Sequence, residues 1–352
     1  MSSRLRTPAP PAGRRQSFLA TAALAAAWLA VGLSALGSSA AAQERRYVVA
    51  FANLTEEPGV TLEGTGFTGR EVRESFSLAA RQYPIELVFY DNQRDNARAL
   101  ANAEDAIAKR VSLYVLYHRD PATNAAIGEK LRAAGIPVLA VNHPVPGAPL
   151  YTADNLAAGR IAGEALGDFG ARTWRTQAKA AVIVGHLGAQ AERIPERAQG
   201  VTEGIRRHLP GVRVTTLDTQ GNPAQVAPLL GKLLAAQPGA KVLIAALDDG
   251  TALAVKSALD AAGRLSDAAI VSHGVDRSIH GGINDRKEID PNNRGSIVVG
   301  SVAFYLDRYG YEALPLAMRM LRGELVPART VTRHKLITAA NVWMEYPPYD
   351  MN

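Results

Sequence analysis

Short, unbroken apolar runs alternate along most of this chain with longer stretches in which apolar residues recur every three or four positions. The short runs are rich in Val, Ile and Leu and are bounded by polar, Gly or Pro positions, the pattern of parallel strands buried on both faces. They fall at 47–52, 85–90, 113–117 and 138–141, then at 180–184, 212–217, 242–246 and 269–271, with a later one at 296–302. The amphipathic stretches between them predict helices over 68–82, 96–109, 123–134, 156–169, 195–208, 223–236, 251–262 and 310–321. Asp120-Pro121 opens one of these, and Asn155 stands where its side chain can cap another. Gly135, Gly263 and Gly323 stand where helices should stop, because glycine accepts the left-handed conformation that ends a helix. Two successive sets of β/α units predict an α/β fold of two doubly wound parallel sheets rather than one large sheet. The polar stretch 284–295 interrupts the alternation and reads as a solvated surface excursion.

The first 42 residues follow a different pattern. Arg4, Arg6, Arg14 and Arg15 precede an apolar run from Phe18 to Leu36, no acid occurs, and Ala40-Ala41-Ala42 closes the stretch. This is the layout of a secretory signal cleaved after Ala42; the competing reading is a membrane anchor, because the apolar run approaches the ~20 residues that span a bilayer. Arg14-Arg15 ahead of Phe18-Leu19 also leaves twin-arginine export open beside ordinary secretion. Cleavage would remove four of the 39 basic residues and none of the 33 acidic ones, leaving 35 against 33, or +2. The basic character of the whole chain is therefore no argument for a nucleic-acid partner. With no cysteine, disulfides, thiolate metal sites, a Cys nucleophile and a lipoprotein anchor are all excluded. The remaining 352 − 42 = 310 residues exceed what one hydrophobic core ordinarily spans, so two lobes are expected.

Several stretches together carry a family resemblance: YDNQRDNARALANAEDAIAKRV at 90–111, AAGIPVLAVNHPV at 133–145, YTADNLAAGRIAGEAL at 151–166, ERAQGVTEGI at 196–205 and ALDDGTALAVKSALDAAG at 246–263. In this order they resemble the ribose-binding branch of periplasmic binding proteins, whose fold is shared with the ligand-sensing part of lac-repressor-type regulators. The resemblance implies a type I periplasmic binding fold in which the chain crosses between lobes near 152–154, 304–305 and 333–335. The lobes would then comprise 43–153 with 305–333, and 154–304 with 334–352. It further implies a periplasmic, monomeric, non-enzymatic protein that captures a sugar or similar polyol and delivers it to an ABC transporter permease. A sensor subunit that reports occupancy to a membrane kinase or chemoreceptor is the alternative. The place of a DNA-binding helix-turn-helix is taken by the export signal, so no nucleic-acid partner is expected.

Ligands of open α/β sheets bind beyond the carboxyl ends of the strands. Those ends supply Asn53 and Glu57 after the first strand, Asp91 after the second, His118 after the third, and Asn142 and His143 after the fourth. The second series supplies Arg193, Asp248 and Asp276, and the resemblance places Phe304 and Tyr305 at a hinge. Carboxylates, amides, an Arg and an aromatic face suit a polyhydroxyl ligand, whose hydroxyls donate and accept while a C–H face packs on a ring. Asn142, Asp248 and Asp276 align with family ligand contacts. Other positions depart from the pattern: Pro195 stands where the family has a ligand-gripping arginine, Pro58-Gly59 where the ribose binder has two aromatics, Phe304 where it has a hinge glutamine, and Asp248 where it has an amide. A ligand other than ribose is expected.

Catalytic and cofactor motifs offer competing readings. GTGFTG places glycines at 64, 66 and 69, formally a dinucleotide fingerprint, with Asp91 ending the next strand. That fingerprint needs its first glycine directly after the strand so that pyrophosphate meets a helix N-terminus, and here the strand ends near Ala52. No H-E-x-x-H, G-x-S-x-G or P-loop occurs, and the seven histidines lack ligand spacing. Asp248 and Asp249 are adjacent, so they do not face each other across a sugar as glycosidase carboxylates do. No enzyme activity, cofactor or metal is expected.

Overall fold

The computed structural model describes residues 47–177, 179–188 and 194–348. The export segment expected over 1–42 lies outside them, as does Arg193. The apolar runs form two six-stranded sheets, each with helices packed on its faces. The first sheet gathers β1 (Tyr47–Asn53), β2 (Ile85–Asp91), β3 (Leu113–Leu116), β4 (Val138–Val141), β5 (Leu150–Thr152) and a late strand, β11 (Arg329–Val331). Its order is β11-β5-β4-β3-β1-β2 and every neighbouring pair is parallel. The second gathers β6 (Lys179–Gly185), β7 (Val214–Asp218), β8 (Lys241–Ala246), β9 (Ala268–Gly274), β10 (Val298–Ala303) and β12 (Lys335–Ile337). Its order is β12-β10-β9-β8-β6-β7, with only the β10–β12 pair antiparallel.

Helices α1 (Gly69–Ala80), α2 (Asn96–Ala108), α3 (Pro121–Ala133) and α8 (Tyr309–Leu321) cover the first sheet. Helices α4 (Asn155–Thr173), α5 (Ile194–His208), α6 (Val226–Ala236) and α7 (Asp249–Ala261) cover the second, and a short α9 (Val342–Glu345) follows β12. Strand interiors such as Val49, Phe51, Leu113, Val115, Ile183, Ile244 and Val271 are fully buried, and each such side chain contributes about 1.5–3 kcal/mol by leaving water. Phe51 of β1 stacks on Phe76 of α1 with ring centroids 4.0 Å apart.

Close helix packing seats the later functional residues. A Cβ on Gly159 of α4 would lie 2.0 Å from the Arg197 carbonyl oxygen, and one on Gly200 of α5 would lie 2.2 Å from that of Leu156. Only glycine lets the two backbones approach this closely, which is the physical content of the GRIAG and RAQG stretches.

The chain passes from one sheet to the other three times: between β5 and α4, between β10 and α8, and between β11 and β12. His334 ties these passages together. Its Nδ1 donates to the Ala303 carbonyl at 2.9 Å, and its Nε2 accepts from the Asp154 N–H at 3.0 Å. Burial holds the imidazole down at about 4, so at neutral pH it is uncharged and can play both roles.

Three sequence expectations need adjustment. Strands β5, β11 and β12 are three residues each, too short to leave a periodic signal. Asp154, rather than Asn155, caps α4 by accepting from the Ala157 N–H at 2.9 Å, which releases the Asn155 side chain for another partner. The excursion at 284–295 is irregular as expected but not wholly solvated: Ile289 joins the second sheet's apolar core, and Asp290 is buried.

Candidate functional site

Between the carboxyl edges of the two sheets lies a cavity of ≈ 760 Å³. The first sheet's side reaches it through Thr61, Glu63, Gly64, Thr65 and Gly66 of the β1–α1 loop, Glu71 of α1, Arg119 after β3 and His143 after β4. The second contributes Asn155 of α4 and Arg197 of α5, then residues at strand ends: His186 after β6, Thr219 after β7, Asp248 after β8, and Asp276 to Ser278 after β9. Among the described residues that line it there is no Phe, Tyr or Trp.

Arg197 is the anchor of this arrangement. It is fully buried, and all five of its N–H donors are used. Nε and Nη2 donate to Asn155 Oδ1 at 3.1 and 2.9 Å, and Nη1 donates to the Leu247 carbonyl at 2.6 Å. The remaining two reach across the cleft, from Nη2 to the Glu63 carbonyl at 2.8 Å and from Nη1 to the Gly64 carbonyl at 3.0 Å. The Phe304 ring lies beneath the guanidinium, 4.3 Å from its carbon to the ring centroid. Burial lowers this side chain to about 10, which leaves it charged at neutral pH. Charged donors into neutral carbonyls make strong hydrogen bonds, so Arg197 clamps the β1–α1 loop to the second half of the molecule.

The clamped loop is itself braced from behind. Glu63 Oε1 accepts from the Tyr117 hydroxyl at 2.7 Å and stands 3.4 Å from His143 Nε2. Glu63 (φ 54°) and Gly64 (φ 61°) are both left-handed, which turns their carbonyls toward Arg197. Gly66 lies so close to the facing half that a Cβ there would meet Asp276 Oδ2 at 1.5 Å.

Of the positions expected to contact ligand, His143, Asp248 and Asp276 line the cavity. Asp248 also caps α7, accepting from the Thr251 N–H at 2.7 Å and the Thr251 hydroxyl at 2.6 Å; Asp276 Oδ1 accepts from the Ser278 N–H at 2.7 Å. The other described positions lie outside the cavity lining. Asn53 Nδ2 donates to the Gly69 carbonyl at 2.8 Å and closes the base of the β1–α1 loop. Asp91 Oδ1 accepts from the Glu56 and Gln93 N–H groups, and His118 Nε2 meets Asn96 Oδ1 at 2.9 Å. Asn142 Oδ1 accepts from the Ala153 N–H and the Tyr309 hydroxyl, both at 3.2 Å. Glu57 is exposed and paired with Arg94. Phe304 is buried under Arg197, and Tyr305 turns to Glu345 and stacks on Tyr346.

Sequence reasoning missed Arg197 and Glu63. Arg197 shares the buried face of α5 with Val201 and Ile205, and a lone arginine at i, i+4, i+8 spacing with core residues was the available signal. Glu63 carried no such signal, because its position depends on the path of an irregular loop. Asp249, beside Asp248, proves wholly internal. It accepts from the Ser272 and Ser301 hydroxyls and the Asp276 N–H, and burial, with the Asp276 carboxylate nearby, pushes it up to about 8. The adjacent carboxylates therefore point to different places, as expected for neighbours at a strand end.

A two-sheet α/β fold with a polar cavity between the sheets' carboxyl edges defines a binding protein of the periplasmic type. The family model described as periplasmic binding protein domain matches residues 59–325, and the chain belongs to that non-enzymatic family. The chain is similar to the ribose import binding protein RbsB of Escherichia coli (strain K12), 26% identical over 279 residues that cover 76% of this chain and 84% of the relative. It is similar at 24% over 274 residues to RbsB of Salmonella typhimurium, covering 76% and 84%. Among solved structures it resembles an ABC transporter solute binding protein from Mycobacterium smegmatis with bound glycerol (TM-score 0.64, 20% identity, 85% of this chain and 96% of that one). A periplasmic solute binding protein from Actinobacillus succinogenes with bound D-allose gives TM-score 0.64 at 14% identity, covering 84% and 99%. One from Bacillus halodurans C-125 with bound myo-inositol gives 0.59 at 20%, covering 86% and 97%. These structural likenesses concern the fold. Among the described residues no helix is long and apolar enough to cross a membrane.

Proposed function

We propose that the chain is the solute-binding component of an ABC importer and holds a sugar or similar polyol in the cavity between its sheets. The observation that carries this reading is the cavity itself, walled from both sides by hydroxyls, amides and charged groups and of a size that suits a small solute. His143, Asp248 and Asp276 are its strand-end contacts, with Thr61, Thr65, Thr219, Thr251 and Ser278 adding hydroxyl or backbone partners. Two lobes, 43–153 with 305–333 and 154–304 with 334–352, close on the solute about the three passages that His334 links. The RbsB relatives import ribose by name, and the allose, inositol and glycerol of the solved structures extend the ligand range of the fold.

In this reading the closed form, loaded with solute, docks on a permease in the inner membrane. The protein works as a periplasmic monomer after cleavage following Ala42. A thermal-shift panel of ribose, allose, galactose, myo-inositol and glycerol on the mature chain tests it. A ligand at one hundred times its Kd adds about 2.7 kcal/mol to folding stability. If no polyhydroxyl compound raises the melting temperature at millimolar concentration, the assignment is wrong.

A further inference from the structure

The charges that line the cavity are unequally satisfied. Each lining carboxylate already takes hydrogen bonds from the protein: Glu63 from the Tyr117 hydroxyl, Glu71 from the Thr68 N–H and hydroxyl, Asp248 from Thr251, and Asp276 from the Ser278 N–H. Arg197 has spent all five donors on protein oxygens and has none left for a solute. Two further guanidiniums, both exposed, line the same cavity from opposite rims, Arg119 three residues after β3 and Arg277 three residues after β9. Among the described residues neither makes a hydrogen bond or an ion pair; Asp307 feels the charge of Arg277 without pairing with it. Among the described residues that line the wall there is also no aromatic ring for the C–H face of a neutral sugar to stack on.

From this we infer that the solute is a polyol carrying an oxyanion, a carboxylate or a phosphate, gripped by Arg119 and Arg277 as the two halves close. The inference rests on the proposed function and narrows its ligand class. Arginine presents paired N–H donors that match the oxygens of either anion. Because the two come from facing rims, an anion between them is bound fully only in the closed form, which couples recognition to closure. The hydroxyls of the solute are left to His143, Thr219 and Ser278.

Isothermal titration of the mature protein with matched pairs tests this: D-galactose against D-galacturonate, D-glucose against D-gluconate, and D-ribose against ribose 5-phosphate. At least one acid should bind about tenfold or more tightly than its neutral parent, with the gap narrowing as salt is raised. The carboxylate and phosphate arms distinguish which oxyanion is taken. In Arg119→Gln/Arg277→Gln the ratio of acid to parent affinity should fall toward one. In Arg213→Gln, which removes one charge from an exposed position outside the cavity, the ratio should stay as in the wild type. Tight binding of a neutral sugar with its acid rejected would overturn this inference and leave the proposed function standing. Binding of neither class would overturn both. An acid preference that survives the double substitution would remove the two arginines from the site.

Discussion

The two rims that face the cavity are built from the same strand-end positions but use them differently. On the second sheet the residues that follow β6, β7, β8 and β9 reach the cavity themselves, as His186, Thr219, Asp248 and Asp276 do. On the first, Asn53, Asp91, His118 and Asn142 are all engaged inside their own half, holding loops and helix starts in place. The cavity wall there is supplied largely by the β1–α1 loop, which lies over that rim and is clamped from the far side by Arg197. The rule that ligands sit at carboxyl ends of strands thus locates the site on both sheets. It finds cavity-lining side chains after β6 to β9 on the second sheet, but on the first only after β3 and β4, at Arg119 and His143.

The strongest way to break this comparison is to remove the clamp. Arg197→Met keeps the packing on Phe304 but strands the carbonyls of Glu63, Gly64 and Leu247 and the side chain of Asn155. Losing a buried charged donor shared among these acceptors should cost about 3–5 kcal/mol, read as a lowered denaturant midpoint. A midpoint equal to the wild type's would mean that the loop does not depend on Arg197.

The second test concerns the carboxylate pair at the end of β8. Asp249 is raised to about 8 from an ordinary value of 3.8, so the folded state holds its proton more tightly than the unfolded state does. Its favourable contribution is complete below about 3.8 and is lost as pH rises through about 8. Asp249→Asn cannot ionise, so its stability relative to the wild type should climb across that window, by on the order of 4 kcal/mol between pH 5 and 8. Taking the difference between the two proteins cancels the opposite trend from His334, which is lowered and loses its contribution as pH falls toward about 4. A flat difference would show that Asp249 is ionised in the fold.

Smaller again is Gly66→Ala. The added Cβ would lie 2.7 Å from the Cβ of Asp276, so no rotation of the aspartate relieves the clash and the two halves must part slightly. Solute affinity should fall about tenfold, as a closed population reduced by that factor requires, while the denaturant midpoint changes little. An unchanged affinity would show that the loop moves independently of closure.

Most of the architecture was legible because it is periodic. Strand cores such as Val182-Ile183-Val184, with glycines ending helices at 135, 263 and 323, announce themselves locally, and those glycines do take positive φ. Of the positions read from sequence, Asp248 and Asp276 on the second sheet and His143 on the first line the cavity. The site was not legible for Glu63 or Arg197, because their positions follow from an irregular loop crossing to the other half, an interaction 134 residues apart in sequence. Nor could sequence tell that Asp91, an acid at a strand end, is spent on the Glu56 and Gln93 N–H groups. A polar side chain at a rim serves the solute only if the local backbone has not already claimed it.

The smallest effect is expected at Glu57, and it tests the same distinction from the other direction. This carboxylate was a candidate because it follows β1, yet in the fold it pairs with Arg94 in solvent, with its side chain 54% exposed. An exposed pair of this kind contributes about 0–1 kcal/mol and is screened by salt, so Glu57→Gln should move the denaturant midpoint barely and the solute Kd by less than about twofold. Glu63→Gln, by contrast, alters a buried carboxylate that holds Tyr117 and faces His143, and should weaken binding clearly under the same assay. If the two substitutions weakened binding alike, the end of β1 would be contacting solute after all, and the β1–α1 loop would not be what supplies that part of the first rim.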